Sequence, residues 1–132
     1  MTYYEVIWHS PLAIKPGSRP GYVKLYAPMH VHSKRIGMTL YGQKDWEFDL
    51  DSVPRIPIVF WLFKGRCGKG AAAIHDLLYD QQPEGVSRRD ADLVMWDQMT
   101  QDGIKLRWRV PIYLGVRAFG WWGWYSMLPW RD

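Results

Sequence analysis

With 132 residues, the chain has the length of one domain and is too short for two. Hydrophobic residues make up 48% of it and charged residues 23%, a balance that is typical of globular proteins and argues against disorder. The net charge of +4 is mild and no helical face carries a stripe of Lys and Arg, which argues against a nucleic-acid partner. The single cysteine, Cys67, excludes an intramolecular disulfide and therefore the disulfide-stabilised secreted class.

The sequence contains no pattern of a signal peptide or of a membrane span. Residues 1–8 include Glu5 and lack a basic start. The longest apolar stretch, Ile56–Phe63, is interrupted by Pro57 and is too short to cross a bilayer. We therefore expect neither a signal peptide nor a transmembrane segment.

Residues 1–50 are predicted to be mainly strands and loops. Short aromatic and β-branched runs between Pro and Gly residues predict strands at Tyr3–Trp8, Tyr22–Tyr26, Arg35–Tyr41 and Trp46–Asp51. His30 and His32 would share one face if they lay on a strand, and could then form a zinc pair. Because Pro28 is close, we instead expect a loop with solvated histidines.

Residues 54–119 are predicted to be mainly helical, although Pro54–Phe63 fits either a short helix or an apolar loop. Apolar periodicity and breakers predict three helices, over residues 71–80, from the N-cap Ser87 to residue 101, and over residues 105–119. Pro111 is expected to bend the third helix. Residues 120–132 form a Trp-rich tail that we expect to be irregular. The predicted fold class is α+β, a single domain of short antiparallel N-terminal strands followed by three packed helices.

Two charged side chains fall on the apolar faces of the first two helices. His75 lies in the same arc as Ile74 and Leu78, and Asp92 lies in the apolar arc of the next helix. A buried carboxylate without a partner costs several kcal/mol, so Asp92 requires one. The short connection Gln81–Val86 favours antiparallel packing of the two helices, which makes His75 the expected partner.

An imidazole held in one tautomer by a buried carboxylate is the arrangement of a general base. Asp76, the next residue along the chain, would then be available to hold a metal ion or a substrate group, with Asp49 as a second carboxylate. The alternative is structural. Arg88 stands four residues before Asp92 and could pair with it along the helix, which would leave His75 as an ordinary core residue.

Three segments in order carry a resemblance to a phage and prophage family of unknown function. They are Phe48–Arg55, Ala72–Tyr79 and Val86–Asp92, and they follow the pattern Asp-x-x-Ser-Val-Pro, His-Asp-x-x-Tyr and Ser-(x)₃-Ala-Asp. The similarity extends over about Arg35–Trp124. Asp51 departs from the pattern, because the family usually has a small residue there. The resemblance implies a phage-encoded protein located in the host cytoplasm or in the virion.

A second, local resemblance concerns the site of secreted phospholipase A₂, in which a His activates water and the adjacent Asp binds calcium. This resemblance implies that His75 is the base, Asp76 the calcium ligand, and Asp92 with Tyr79 the pair that orients the base. Loop carbonyls near Gly68–Gly70 would complete a calcium site of six to eight oxygens. The flanking Cys pairs of that family are absent here.

Two other side chains that could be nucleophiles are expected to have structural roles instead. Cys67 is expected to be a buried, inert thiol, and Ser52 a turn residue. The Trp-rich tail fits packing over the domain's own core, a membrane interface or a protein partner.

Two functions of different classes remain open at the level of sequence. In the first, the protein is a metal-assisted hydrolase that acts on lipid or envelope material. In the second, it is a non-enzymatic virion, tail or assembly protein that binds a protein partner, and the network of His75, Asp92 and Tyr79 is a buried polar lock.

Overall fold

The computed structural model of the chain describes residues 3–18, 22–49 and 67–126. Strands occupy the first two ranges and helices the third. This order confirms the α+β class, with antiparallel strands preceding packed helices. Ser52, Asp51, Trp130 and the segment Pro54–Phe63 lie outside the described residues.

The described strands form two antiparallel sheets of three strands each. Their bounds are β1 (Val6–Trp8), β2 (Ile14–Pro16), β3 (Tyr22–Leu25), β4 (Met29–Ser33), β5 (Met38–Gly42) and β6 (Glu47–Asp49). The strand order is β1-β4-β5 in one sheet and β2-β3-β6 in the other. β2 is not evident from the sequence, because its three residues include a lysine and a proline. The predicted strand Arg35–Tyr41 starts later, since residues 34–37 form the turn between β4 and β5.

The expectation of a loop around His30 and His32 is wrong, because both residues lie on β4. Met29 and Val31 point into the core, whereas His30 and His32 alternate with them on the opposite face. Pro28 precedes the strand and therefore removes no hydrogen bond from its ladder.

Helices account for most of the C-terminal half. Their bounds are α1 (Lys69–Gln81), α2 (Arg88–Gln101), α3 (Leu106–Phe119) and α4 (Trp121–Ser126). Ser87 caps α2 as predicted. Its hydroxyl accepts from the backbone N–H of Asp90 at 3.1 Å, and the Asp90 carboxylate accepts from the backbone N–H of Ser87 at 3.1 Å. Pro111 lies inside α3, as predicted. The tail was expected to be irregular, but its first residues form α4.

Two groups of buried side chains form the core. The first joins the sheets to α1 and α2, and the second joins α1, α2 and α3. Cys67 is buried in the second group, as expected. Three consecutive small residues, Ala71, Ala72 and Ala73, are all buried and allow close packing of α1 against its neighbours. The core thus runs from the strands through α1 and α2 to α3.

Polar side chains of α2 bind the edge strand β1. The amide of Gln101 accepts from the backbone N–H of Val6 at 2.9 Å and donates to the carbonyl of Val6 at 2.7 Å. The indole N–H of Trp8 donates to Oε1 of Gln98 at 2.8 Å. α2 therefore covers polar backbone groups at a sheet edge that would otherwise face solvent.

A buried ion pair ties α2 to the turn between β4 and β5. Arg35 donates from Nε to Oδ2 of Asp97 at 2.6 Å and from Nη2 to Oδ1 at 2.9 Å. The backbone N–H of Tyr4 also donates to Asp97, and the guanidinium lies 4.5 Å from the centre of the Tyr4 ring. The hydrogen bond to Asp97 raises the pKa of Arg35, which keeps the guanidinium charged.

None of the described helices is both long enough and apolar enough to cross a membrane.

We predict that Asp97→Ala lowers the free energy of unfolding by about 3 kcal/mol, because it leaves a buried pair broken and Arg35 without its partner. The matched control is Glu5→Ala, which breaks the exposed Lys34–Glu5 pair (2.8 Å) in the same region. Exposed pairs contribute about 0 to 1 kcal/mol. Urea unfolding measures both, and equal effects of the two substitutions would contradict the role of burial.

Candidate functional site

The site is built where α1 crosses α2. Nε2 of His75 and Oδ1 of Asp92 lie 2.7 Å apart, and the two side chains are 1% and 0% exposed. The sequence predicted this contact from the apolar arcs of the two helices. The structure therefore brings the imidazole and the carboxylate together inside the protein.

Tyr79 completes the pair from the next turn of α1. Its hydroxyl donates to Oδ1 of Asp92 at 2.7 Å, so this oxygen accepts from both Tyr79 and His75. The Tyr79 ring lies 4.2 Å from the His75 ring and meets the Trp124 ring edge to face at 5.2 Å. Trp124 of α4 therefore helps to hold Tyr79 in place.

Two arginines bind the second oxygen of Asp92. Nη1 of Arg117 donates to Oδ2 at 2.9 Å, and Nη1 of Arg88 lies 3.4 Å from the same atom. Arg88 also donates to the carbonyls of Val116 and Arg117, both at 3.0 Å. Arg88 was anticipated from its spacing, whereas Arg117 was not. Nothing in the spacing of Arg117 indicated it, because it reaches Asp92 from a different helix.

The partners of Asp92 keep it ionised. Burial opposes the charged form, but the hydrogen bond and charge of His75, with the bonds from Tyr79 and Arg117, outweigh burial and lower the pKa of Asp92. Burial and the neighbouring Asp92 carboxylate raise the pKa of Tyr79, so its hydroxyl stays protonated and acts as a donor. Asp92 is therefore a carboxylate held by donors from α1, α2 and α3.

The ionised carboxylate fixes the tautomer of His75. Because Oδ1 of Asp92 only accepts, Nε2 of His75 carries the hydrogen. In the neutral ring the lone pair is then on Nδ1. Among the described residues, Nδ1 is buried and has no hydrogen-bond partner. Buried ring nitrogens are nearly always hydrogen-bonded, so a group outside the described residues, such as a water molecule or a ligand, can bind this atom.

The predicted metal ligands are not brought into a ligand set by the described residues. Asp76 is half-buried on α1, next to His75, and it makes an interaction of its own. Asp49 ends β6 opposite Tyr22, and its side chain lies outside the described part of the structure. No group of three or more His, Cys, Asp and Glu side chains that could hold a metal occurs in the described ranges. Calcium takes six to eight oxygens, so the calcium site that the resemblance implies stays a prediction.

The two strand histidines already have neighbours. Nδ1 of His32 lies 2.9 Å from the Thr39 hydroxyl, and the His30 ring meets the Tyr41 ring at 4.8 Å. These contacts do not test the zinc pair, which the sequence analysis set aside in favour of a loop.

A cavity of about 460 Å³ opens elsewhere, beside the C-terminal end of α1. It is lined by Leu77, Asp80 and Gln81 of α1 and by residues 41–46, which are the end of β5 and its connection to β6. His75 is not among its lining residues, so this cavity is separate from the buried network.

Comparison with known proteins identifies the family of this chain. Residues 23–116 match the family described as "Protein of unknown function (DUF1353)". The chain belongs to this family. The matched range includes His75, Tyr79 and Asp92, whereas Arg117 follows directly after its end. No curated protein and no solved structure matches the chain.

We predict that Gly120→Ala disturbs the network by steric contact. A Cβ at this position would meet the backbone carbonyl oxygen of Val116 most closely, and it would lie 2.6 Å from the Tyr79 hydroxyl and 3.2 Å from Nη1 of Arg88. Gly120 has φ −67°, which Ala adopts readily, so the effect is not one of backbone strain. We expect a loss of about 1 to 3 kcal/mol in unfolding free energy.

A double-mutant cycle with Tyr79→Phe tests the cause. Tyr79→Phe removes the closest side-chain atom but not the Val116 carbonyl, so Gly120→Ala should cost less in the Tyr79→Phe protein and still destabilise it. Additive costs would show that the hydroxyl is not what Gly120 accommodates.

We also predict a distinct pH dependence for Asp92→Asn. The folded-state pKa of Asp92 lies below 3.8, so its contribution is complete above that pH and is lost as the pH falls through the folded-state value. Near neutral pH the substitution should cost about 3 kcal/mol. The stability gap between wild type and variant should narrow below about pH 4. Urea unfolding at neutral, mildly acidic and strongly acidic pH checks this, and a constant gap would contradict it.

Proposed function

We propose that this protein is a small hydrolase in which His75 is the general base. The observation that carries the proposal is Nδ1 of His75, a buried nitrogen without a partner among the described residues, on a ring held from its other side by an ionised carboxylate. General bases in acyl transfer have this arrangement, with one ring nitrogen oriented and the other available for a proton.

The proposed reaction is hydrolysis of an ester or amide. Nδ1 of His75 takes a proton from a water molecule, and the water oxygen forms a bond to the carbonyl carbon of the substrate. The bond from that carbon to the leaving oxygen or nitrogen then breaks. The imidazolium returns its proton to the leaving group, so that acid, alcohol or amine and the neutral His75 are formed.

Asp92 acts through His75 as a positioning residue. Its charge stabilises the imidazolium that forms during the reaction, and its hydrogen bond keeps the hydrogen on Nε2. Tyr79 and Arg117 hold the carboxylate in turn. Four donors on one carboxylate restrict its rotation. A site whose polar groups are already oriented in this way rearranges little during the reaction.

The substrate class and origin rest on the resemblances. We propose a phage-encoded enzyme that acts on an ester of lipid or envelope material, located in the host cytoplasm or the virion. The assay below is run with and without calcium, because the resemblance implies calcium at Asp76. The described residues do not form a ligand set for it. No step above uses a metal ion.

A second candidate function is favoured by the completeness of the Asp92 network. Both of its oxygens accept from side chains of the protein, two of which are arginines, and one of these, Arg88, also donates to carbonyls at the end of α3. A polar network of this kind also serves to specify helix packing. In that case the protein is a virion, tail or assembly component without activity, and His75 contributes stability only.

We expect His75→Gln to reduce hydrolysis by about 10² to 10⁴-fold, because general-base catalysis contributes that much. The assay follows release of nitrophenol from nitrophenyl esters and of fatty acid from phosphatidylglycerol vesicles, with calcium or with chelator. His32→Gln is the matched control, since it changes a partly exposed histidine on β4 and should leave the rate unchanged.

The two candidate functions predict different outcomes. The hydrolase would be rejected if the wild-type protein had no activity on any of these substrates. The structural lock would then be supported if His75→Gln lowered the melting temperature.

A further inference from the structure

The outer side of α3 and α4 carries large apolar side chains in contact with solvent. They are Leu106, Val110, Leu114, Trp121 and Tyr125, each between 39% and 59% exposed. We call these five residues the apolar stripe. The opposite side of α3 is also apolar, because Ile112 and Val116 are buried in the second core group. A helix that is apolar on both sides normally has both sides covered.

The apolar stripe is continuous across the junction of the two helices. Gly120 has right-handed helical angles (φ −67°, ψ −16°), and its backbone N–H donates to Val116. The backbone N–H of Trp124 donates in turn to the Gly120 carbonyl at 3.1 Å. With about 3.6 residues per turn, the five side chains then fall within an arc of about 100°.

The charge of this region has one sign. Residues 103–126 contain no Asp or Glu, and their cations are Lys105, Arg107, Arg109 and Arg117. Lys105 and Arg107 are exposed on either side of Leu106 at the start of the stripe. Arg109 is partly buried and donates to the Ile104 carbonyl and the Thr100 hydroxyl. Arg117 lies in the same arc as the stripe and reaches inward to Asp92.

We propose that the apolar stripe is a docking surface for an anionic lipid bilayer. Amphipathic helices with cations, aromatic rings and exposed leucines lie in the plane of the membrane interface, with apolar side chains in the acyl boundary and cations at the headgroups. Trp and Tyr are the rings that prefer this depth. In this arrangement α3 and α4 lie in the plane of the interface, with the apolar stripe towards the acyl chains. This surface does not require His75 to be catalytic.

The experiment is co-sedimentation of the full chain with vesicles of phosphatidylglycerol and phosphatidylcholine, compared with phosphatidylcholine alone. We expect binding to the anionic vesicles that weakens as salt rises. Leu114→Glu should weaken this binding by at least about tenfold. It removes a leucine that the bilayer would bury, and it adds a negative charge that the anionic headgroups repel. Arg107→Glu should weaken it by roughly fivefold or more.

The matched control is Tyr26→Glu, which adds the same charge at a large exposed side chain outside the stripe. It should bind like the wild type. Co-sedimentation measures binding and not hydrolysis, so its outcome is separate from that of the hydrolase assay. Circular dichroism verifies that each variant is folded, and the salt dependence of the wild type needs no variant.

Three outcomes would overturn the proposal. They are a wild type that does not sediment with anionic vesicles, a Leu114→Glu protein that binds as well as Tyr26→Glu, and a wild-type dimer without vesicle binding that Leu114→Glu dissociates. The last outcome, measured by light scattering, would assign the stripe to a second copy of this chain.

Discussion

The buried carboxylate of Asp92 is the constraint on which the helical half depends. A charge removed from water is strongly unfavourable unless donors surround it, and here α1 supplies His75 and Tyr79 and α3 supplies Arg117. The positions of three helices are therefore coupled through one side chain. Arg88 adds to this coupling, because it binds both Asp92 and the carbonyls at the end of α3.

α2 has a similar role on its other sides. It buries Asp97 and Gln98 as well as Asp92, and each of these side chains has a partner on another element or farther along the chain. A helix this polar would not be stable in the interior through hydrophobic contact alone. Its polar side chains instead bind Arg35, the edge strand β1 and the site, so that α2 links the strands to the remaining helices.

The site and the apolar stripe meet at Arg117. Its backbone lies in the arc of the stripe, and its guanidinium binds Asp92. In the proposed hydrolase, Asp92 and Arg117 would connect His75 to the helix that lies on the lipid surface, which suits a substrate that is itself a lipid ester. In the structural alternative, the contact between Arg117 and Asp92 would have another role. A partner bound at α3 would affect the packing of all three helices through it.

The sequence by itself determined that strands precede helices, that Ser87 caps α2 and that His75 and Asp92 point inward. These features depend on periodicity and on neighbours within a few residues, which local patterns encode. Only the tertiary structure decided the strand at His30, the part played by Arg117 and the position of Nδ1 of His75. Arg117 is 25 residues from Asp92 and Val6 is 95 residues from Gln101. Such contacts arise from how whole elements pack, and no local spacing specifies them.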